Sequence, residues 1–377
     1  VRGVLGKNFL VPEKSSQPFE KLSTCLALVE IVNSCNLACP TCYADSPVGI
    51  GQKVDAIPLE NLKERIQGVI NRKGGIEILQ LSGGEPTLHP QFFELVRWAQ
   101  DNPGIDYLLL NTNGVRIAHD ENFARQLGET FHYGGLQLYL QFDGVQIAAQ
   151  HTLRGADLRA TRKRAIERCG EMNLPITLAM TVTDENLPHL WEAIEFGLQY
   201  KHVRGISFQP MFDSGRSAQL KIQNSKIKTH LNTADIILAA VEQSEKKLRF
   251  EDFTPLPCGD PNCATIGYLL KINGEPRSIS DFIDFSHVQG FLQNKIRYQL
   301  EDLIKCGCDS EPLGELLKKF EMDETNTFRI FIKPFMDAST WDEDRIDRCC
   351  THVIRPDGKL DSFCRYYSGF ADCKNDK

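Results

Sequence analysis

The chain has 377 residues, a net charge of −7 and 13 cysteines. A chain of that length buries enough core to fold without disulfide staples, and lysine and arginine spread along an acidic chain argue against a nucleic-acid partner, which needs a basic stripe. The longest apolar runs fall short of the ~20 residues of a membrane span, and open thiols need reducing conditions. We therefore expect a cytoplasmic protein, with contact to a membrane surface left open.

Residues 1–20 read as an N-terminal extension. Because the chain begins at Val1, residues ahead of it are expected in the natural protein. An apolar strand-like run at 25–32 leads directly into Cys35-x3-Cys39-x2-Cys42. Three soft ligands on so short a loop suit an iron–sulfur cluster. Three cysteines on a four-iron cubane leave one iron open to chelate a small molecule. A zinc site completed by a distant fourth ligand is the plainer alternative.

A second strand, 76–82, ends in Gly83-Gly84-Glu85-Pro86. The glycines allow close approach of a ligand to the backbone, and Pro86 stops strand pairing. Further apolar runs follow at 105–111, 136–142, 176–182 and 203–209. Helical patterns at 59–72, 90–101, 119–128, 156–172 and 188–200 lie between the strands. Strands alternating with helices predict parallel βαβ units; periodicity alone does not separate a partial barrel from a doubly wound sheet. The strand ends carry polar or small residues, among them Asn111-Thr112-Asn113-Gly114, Gln141-Phe142-Asp143-Gly144 and Thr181. Asn113-Gly114 and Asp143-Gly144 are also ordinary turn pairs. The basic run Arg154, Arg159, Arg162, Lys163, Arg164 and Arg168 reads mostly as a solvated helix face.

The second half differs. A helix capped by Asn232 or Thr233 is expected to run to about Leu248. Pro255-Leu256-Pro257-Cys258 then holds a stiff loop that continues to Cys263. Near the C-terminus, Pro356-Asp357-Gly358 between two apolar runs predicts a hairpin. That hairpin folds Cys364 back beside Cys349 or Cys350. Cys258, Cys263, Cys350 and Cys364 together supply four thiolates, enough for a second [4Fe–4S] cluster or a structural zinc. Cys349 competes with Cys350, since neighbours on a strand point to opposite faces.

The cysteine triad followed by Gly-Gly-Glu-Pro resembles the signature of the radical SAM superfamily. That resemblance implies an α/β fold, a partial (β/α)6 TIM-like barrel over 21–212, with a C-terminal auxiliary-cluster domain over 213–377. It implies a [4Fe–4S] cluster on Cys35, Cys39 and Cys42 whose open iron holds S-adenosylmethionine (SAM). It places Gly83, Gly84 and Glu85 at the SAM amino group, Thr112 and Gln141 at its ribose or carboxylate, and Asp143 and Arg154 nearby. It also implies an electron donor such as flavodoxin or ferredoxin.

The segments around Cys258–Cys263 and Cys350–Cys364 resemble the group containing archaeal tetraether-lipid synthase and methylases of a pterin cofactor. The barrel resembles molybdopterin-precursor and SPASM-type enzymes. A methylase or carbon–carbon bond-forming enzyme acting on a lipid or pterin-like small molecule is the reading this supports. A SPASM-type peptide maturase and a non-enzymatic iron–sulfur electron carrier are the alternatives.

Overall fold

In the computed structural model, the described residues are 24–218, 230–256, 259–272, 274–282 and 326–368. Cys258, Cys306, Cys308 and Cys373 lie outside them.

Six parallel strands form the frame: β1 (Leu26–Val32), β2 (Ile78–Gly83), β3 (Leu108–Thr112), β4 (Gln137–Gln141), β5 (Ile176–Val182) and β6 (Val203–Pro210). Between them run α1 (Leu59–Lys73), α2 (Phe92–Asp101), α3 (Val115–His119), α4 (Glu121–Gly134), α5 (Ile147–Arg154), α6 (Arg159–Glu171) and α7 (Leu190–Leu198). Every expected strand forms. The helix expected at 119–128 forms as α4, which runs on to Gly134, and a separate short helix, α3, precedes it across Asp120. The Asp120 carboxylate accepts from the Phe123 N–H at 3.0 Å and starts α4, a cap an uninterrupted helix could not hold. Helix α5 was not expected.

Alternation along each strand makes a two-sided sheet. Leu79, Leu81, Leu108, Leu110, Leu138, Leu140, Leu178 and Met180 face the helices and form the core. The residues between them face a central cavity: Gln80, Asn111, Gln137, Tyr139, Gln141, Thr177 and Thr181. Period-two alternation separates this set from the core-facing leucines, and Ile78, Leu109 and Ala179 join it on the cavity wall.

The C-terminal half adds to both edges of this frame. β7 (Phe253–Pro255), β8 (Thr265–Ile272), β9 (Glu275–Ser278), β10 (Thr327–Ile332), β11 (Thr351–Ile354) and β12 (Leu360–Ser362) complete one sheet. Its order is β12-β11-β1-β2-β3-β4-β5-β6-β10-β8-β7, with β9 on β8. β10 lies parallel to β6 and antiparallel to β8, and β11 lies parallel to β1. The sheet is mostly parallel and, among the described residues, does not close. The expected hairpin forms: β11 and β12 pair with His352 opposite Ser362, and Gly358 takes φ +77° in the turn. No described helix is long and apolar enough to cross a membrane.

One packing contact is pH-sensitive. The His202 ring is buried and its Nε2 lies 2.8 Å from the Ile166 carbonyl. Burial first, then the charges of Arg204 and Lys271, depress its pKa below the ordinary value. The unfolded chain then binds a proton that the folded one refuses, so stability falls as pH drops from about 6.5 towards the depressed value. The urea midpoint is expected to fall less on acidification in His202→Gln than in the unmodified chain. Equal slopes in the two proteins would show that His202 does not titrate on unfolding.

Candidate functional site

The cavity enclosed by the strands has a volume of about 740 Å³. At its mouth lies the loop after β1, with Cys35, Cys39 and Cys42 all on the wall. Backbone bonds pin this loop: Cys35 N to Pro47 O at 2.8 Å, and Gly49 N to Cys35 O at 3.0 Å. Thr41 Oγ1 donates to the last turn of α5, at the Leu153 carbonyl. Burial, then the Glu85 charge, pushes the Cys35 thiol up to about 12. Burial also raises Cys39, while the Arg154 charge pulls it the other way. Among the described residues no three His, Cys, Asp or Glu side chains already stand as a metal site.

Gly83, Gly84 and Glu85 border the same mouth. The close approach the glycines permit is made by the chain itself. A Cβ on Gly83 would strike the Val32 carbonyl, and one on Gly84 the Ser34 carbonyl. The Gly84 and Glu85 N–H groups donate to these same two carbonyls, at 2.8 and 3.0 Å. Glu85 is 1% exposed. Its carboxylate accepts from the Thr87 and Thr112 hydroxyls, both at 2.7 Å, and from the Asn113 N–H at 2.7 Å. It ties the end of β2 to the end of β3. Burial raises its pKa despite these bonds.

Thr112, Gln141 and Arg154 also line the cavity, whereas Asp143 lies behind Arg154 and outside the wall. Asp143 takes φ +63°. Both its oxygens are held by the Arg154 guanidinium, at 2.6 and 2.7 Å, and Oδ1 also accepts from the Thr181 N–H. Burial works against the Arg154 charge, but the Asp143 carboxylate outweighs it and raises the pKa.

Two residues went unread in the sequence. Asn113, taken there as a turn residue, points its amide at the Asn36 side chain (2.6 Å) and at Cys35 Sγ (3.7 Å). Arg162, placed there with a solvated helix face, is 1% exposed. It donates to the Asn113 carbonyl and to Gln141 Oε1, and burial pushes its pKa down to about 10. No local signal marks it, because its helix is polar on most sides.

Beside the opposite wall, Cys263, Cys349, Cys350 and Cys364 are all buried. Lys333, 5% exposed, donates to Cys263 Sγ at 3.0 Å. Burial lowers its pKa, but the charges of Cys263, Cys350 and Cys349 outweigh that and raise it. The hairpin pairing ends at His352–Ser362, and Cys350 and Cys364 each lie two residues beyond that pair, Cys364 in the short helix Phe363–Tyr367. Cys350 lines the cavity, while Cys349 Sγ turns back to the Thr351 backbone. Burial raises the thiols of Cys349 to about 12 and Cys364 to about 11.

A family model described as the Radical SAM superfamily matches residues 29–197. The chain is similar to 7,8-dihydro-6-hydroxymethylpterin dimethyltransferase of Methanocaldococcus jannaschii: 27% identical over 410 residues, covering 93% of this chain and 78% of that protein. It is also similar to GTP 3′,8-cyclase of Chlorobaculum tepidum: 34% identical over 89 residues, covering 24% of this chain and 26% of that protein. Streptococcus suis SuiB bound to S-adenosylmethionine superposes with a TM-score of 0.45 and 16% identity, over 59% of this chain and 48% of that one. The family match covers β1 to α7, the frame on which the cysteine loop and the Gly83–Glu85 segment sit. Residues 29–197 are a radical SAM domain, and the chain is a radical SAM enzyme.

Proposed function

We propose that this enzyme abstracts hydrogen from a carbon of a pterin-like small molecule seated in the barrel cavity, in the course of methylation or carbon–carbon bond formation. Cys35, Cys39 and Cys42 hold the SAM-cleaving [4Fe–4S] cluster. Their fit rests on three thiols at the mouth of one cavity, on a loop fixed by backbone bonds. Bound there and reduced by one electron from a flavodoxin- or ferredoxin-type donor, the cluster would supply the reductive cleavage of SAM to methionine and a 5′-deoxyadenosyl radical able to take a hydrogen atom from the substrate.

The chain's own residues position and enclose. An ammonium group such as that of SAM needs acceptors. The Gly84 and Glu85 N–H groups are already given to Val32 and Ser34, so the Gly83–Glu85 segment meets it through carbonyl oxygens. Glu85 acts one step back, by fixing that segment to Thr112 and Asn113. Arg154, held by Asp143, presents a fixed cation to the SAM carboxylate. Thr112 and Gln141 face the ribose, and Arg162 orients the Gln141 amide. Tyr43, beside Cys42, packs against Phe212, Phe363 and Tyr367 and keeps water from that side of the loop.

Cys263, Cys350 and Cys364, with Cys258 from outside the described residues, hold an auxiliary [4Fe–4S] cluster. A buried ammonium on Cys263 suits thiolates better than thiols, and metal binding requires the deprotonated form.

The polar inner face carries the substrate reading. Side-chain amides of Gln80, Asn111, Gln137, Gln141 and Gln209 face the cavity. A nitrogen heterocycle can exchange hydrogen bonds with these amides, which otherwise pair with their neighbours, as Gln137 does with Thr177 and Gln209 with Tyr139; the methylenes of a lipid chain offer them no partner. The similarity to a pterin dimethyltransferase points the same way.

Anaerobically reconstituted enzyme, dithionite, SAM and a 7,8-dihydropterin deuterated on carbon are expected to yield deuterated 5′-deoxyadenosine. SAM cleavage with no deuterium transfer from any labelled position would overturn the pterin reading.

A further inference from the structure

The cysteine loop is gripped from a second direction, by a segment far from it in sequence. β6 ends at Pro210, and the chain then crosses back to the loop. Ser214, Gly215, Arg216 and Ser217 meet the loop's carbonyl oxygens one after another. Ser217 Oγ donates to the Thr41 carbonyl at 2.9 Å. The Arg216 N–H donates to the Cys42 carbonyl at 2.9 Å. Ser214 Oγ donates to the Tyr43 carbonyl at 3.1 Å. The Arg216 guanidinium donates to the Ser46 carbonyl at 3.1 Å, and its Nε lies 3.8 Å from the Asp45 carboxylate. Gly215 takes φ +54°, and a Cβ there would strike the Tyr43 and Cys42 carbonyls. Glycine is what lets the two backbones close on each other.

The same segment reaches the second cysteine group. Ser214 Oγ also lies against the Tyr367 carbonyl, so one hydroxyl proton is shared between two acceptors. Tyr367 ends the helix that carries Cys364. Its ring meets Tyr43 edge-on, 4.9 Å between centroids. Ser214 and Ser217 are 4% and 2% exposed, so water does not stand ready to replace their bonds.

We infer that residues 214–217 are a clasp that positions Cys42 for the SAM-cleaving cluster, and that retention of this cluster depends on a segment outside residues 29–197. The Thr41 and Cys42 carbonyls belong to the two peptide planes that flank Cys42. Holding both leaves little freedom to its side chain, which borders the cavity together with Ser217. Groups behind a metal's ligands fix their orientation and govern how tightly the metal is kept. Metal on a loop is lost when the loop opens locally, and this loop opens only after its clasp. The inference rests on the assignment of Cys35, Cys39 and Cys42 to that cluster.

The full chain, reconstituted anaerobically and reduced, gives an EPR signal that shifts when SAM is added. The lifetime of that signal is measured in the presence of an iron chelator, bathophenanthroline disulfonate. Ser217→Ala and Arg216→Ala are each expected to shorten it about three- to tenfold, the loss of one hydrogen bond. Ser217→Thr and Arg216→Lys, which keep a donor, should stay near the unmodified lifetime. Asn232→Ala is the control for general stability. It removes the cap of the helix Thr233–Gln243, which packs on α7 away from the loop, and lowers the urea midpoint without shortening the signal. Unchanged lifetimes in Ser217→Ala, Arg216→Ala and Gly215→Ala, or equal shortening in Asn232→Ala, would overturn the inference. An unmodified chain with no SAM-responsive signal would sink the assignment of the loop and the clasp with it.

Discussion

Alanine at Cys35, Cys39 and Cys42 together is expected to abolish 5′-deoxyadenosine formation and to leave about four irons per chain after anaerobic reconstitution. Both halves follow from the separation of the cysteines into two groups. The first three share the loop after β1 at the cavity mouth; Cys263, Cys350 and Cys364 gather around Lys333 near β8 and β11. Removing one group leaves the other's ligands and their ammonium intact. A second cluster fully ligated by four thiolates would have no open iron for SAM. Cleavage that survives the triple change would defeat the assignment of the loop. Stoichiometric zinc in place of the residual iron would make the second group a structural zinc site.

Asp143→Asn is expected to destabilise the fold by about 3–5 kcal/mol, the cost of leaving a buried charge without its partner. The Asp143 and Arg154 side chains are only 1% and 8% exposed. No solvent stands ready to replace the two short bonds that the carboxylate accepts. Asparagine tolerates the left-handed backbone at this position, so the loss reports on charge and not on strain. The double variant Asp143→Leu with Arg154→Met should recover much of the stability, since an apolar pair of similar volume carries no desolvation cost, while SAM affinity stays low. A urea midpoint for Asp143→Asn within experimental error of the unmodified chain would show that Arg154 finds another partner.

The barrel was legible because buried parallel strands read as apolar runs, and runs such as Ile176–Val182 and Val203–Pro210 appear where expected. The cysteine loop and the Gly83–Glu85 segment were legible as local spacing, and the hairpin of β11 and β12 as turn chemistry. Three things were not. The extra strand beside β6 comes from Thr327–Ile332, and no local pattern names its partner. Arg162 sits in a helix rich in charge, and only the packing of that helix decides which arginine is buried. The hydrogen bonds that the Glu85 carboxylate accepts from Thr112 and Asn113 depend on another strand arriving beside it, which no local pattern marks.

The pairing of β1 with β11 has a consequence for how the chain is made. Thr24 donates to the Cys350 carbonyl across 326 residues of sequence. As the chain leaves the ribosome, β2 can occupy one side of β1 early, but the other side waits for residues near the C-terminus. Through most of synthesis that flank presents bare N–H and C=O groups, an invitation to strands of other chains. Contacts of such long range also form slowly. Truncations that remove β11 should therefore aggregate, even though they retain the whole of residues 29–197.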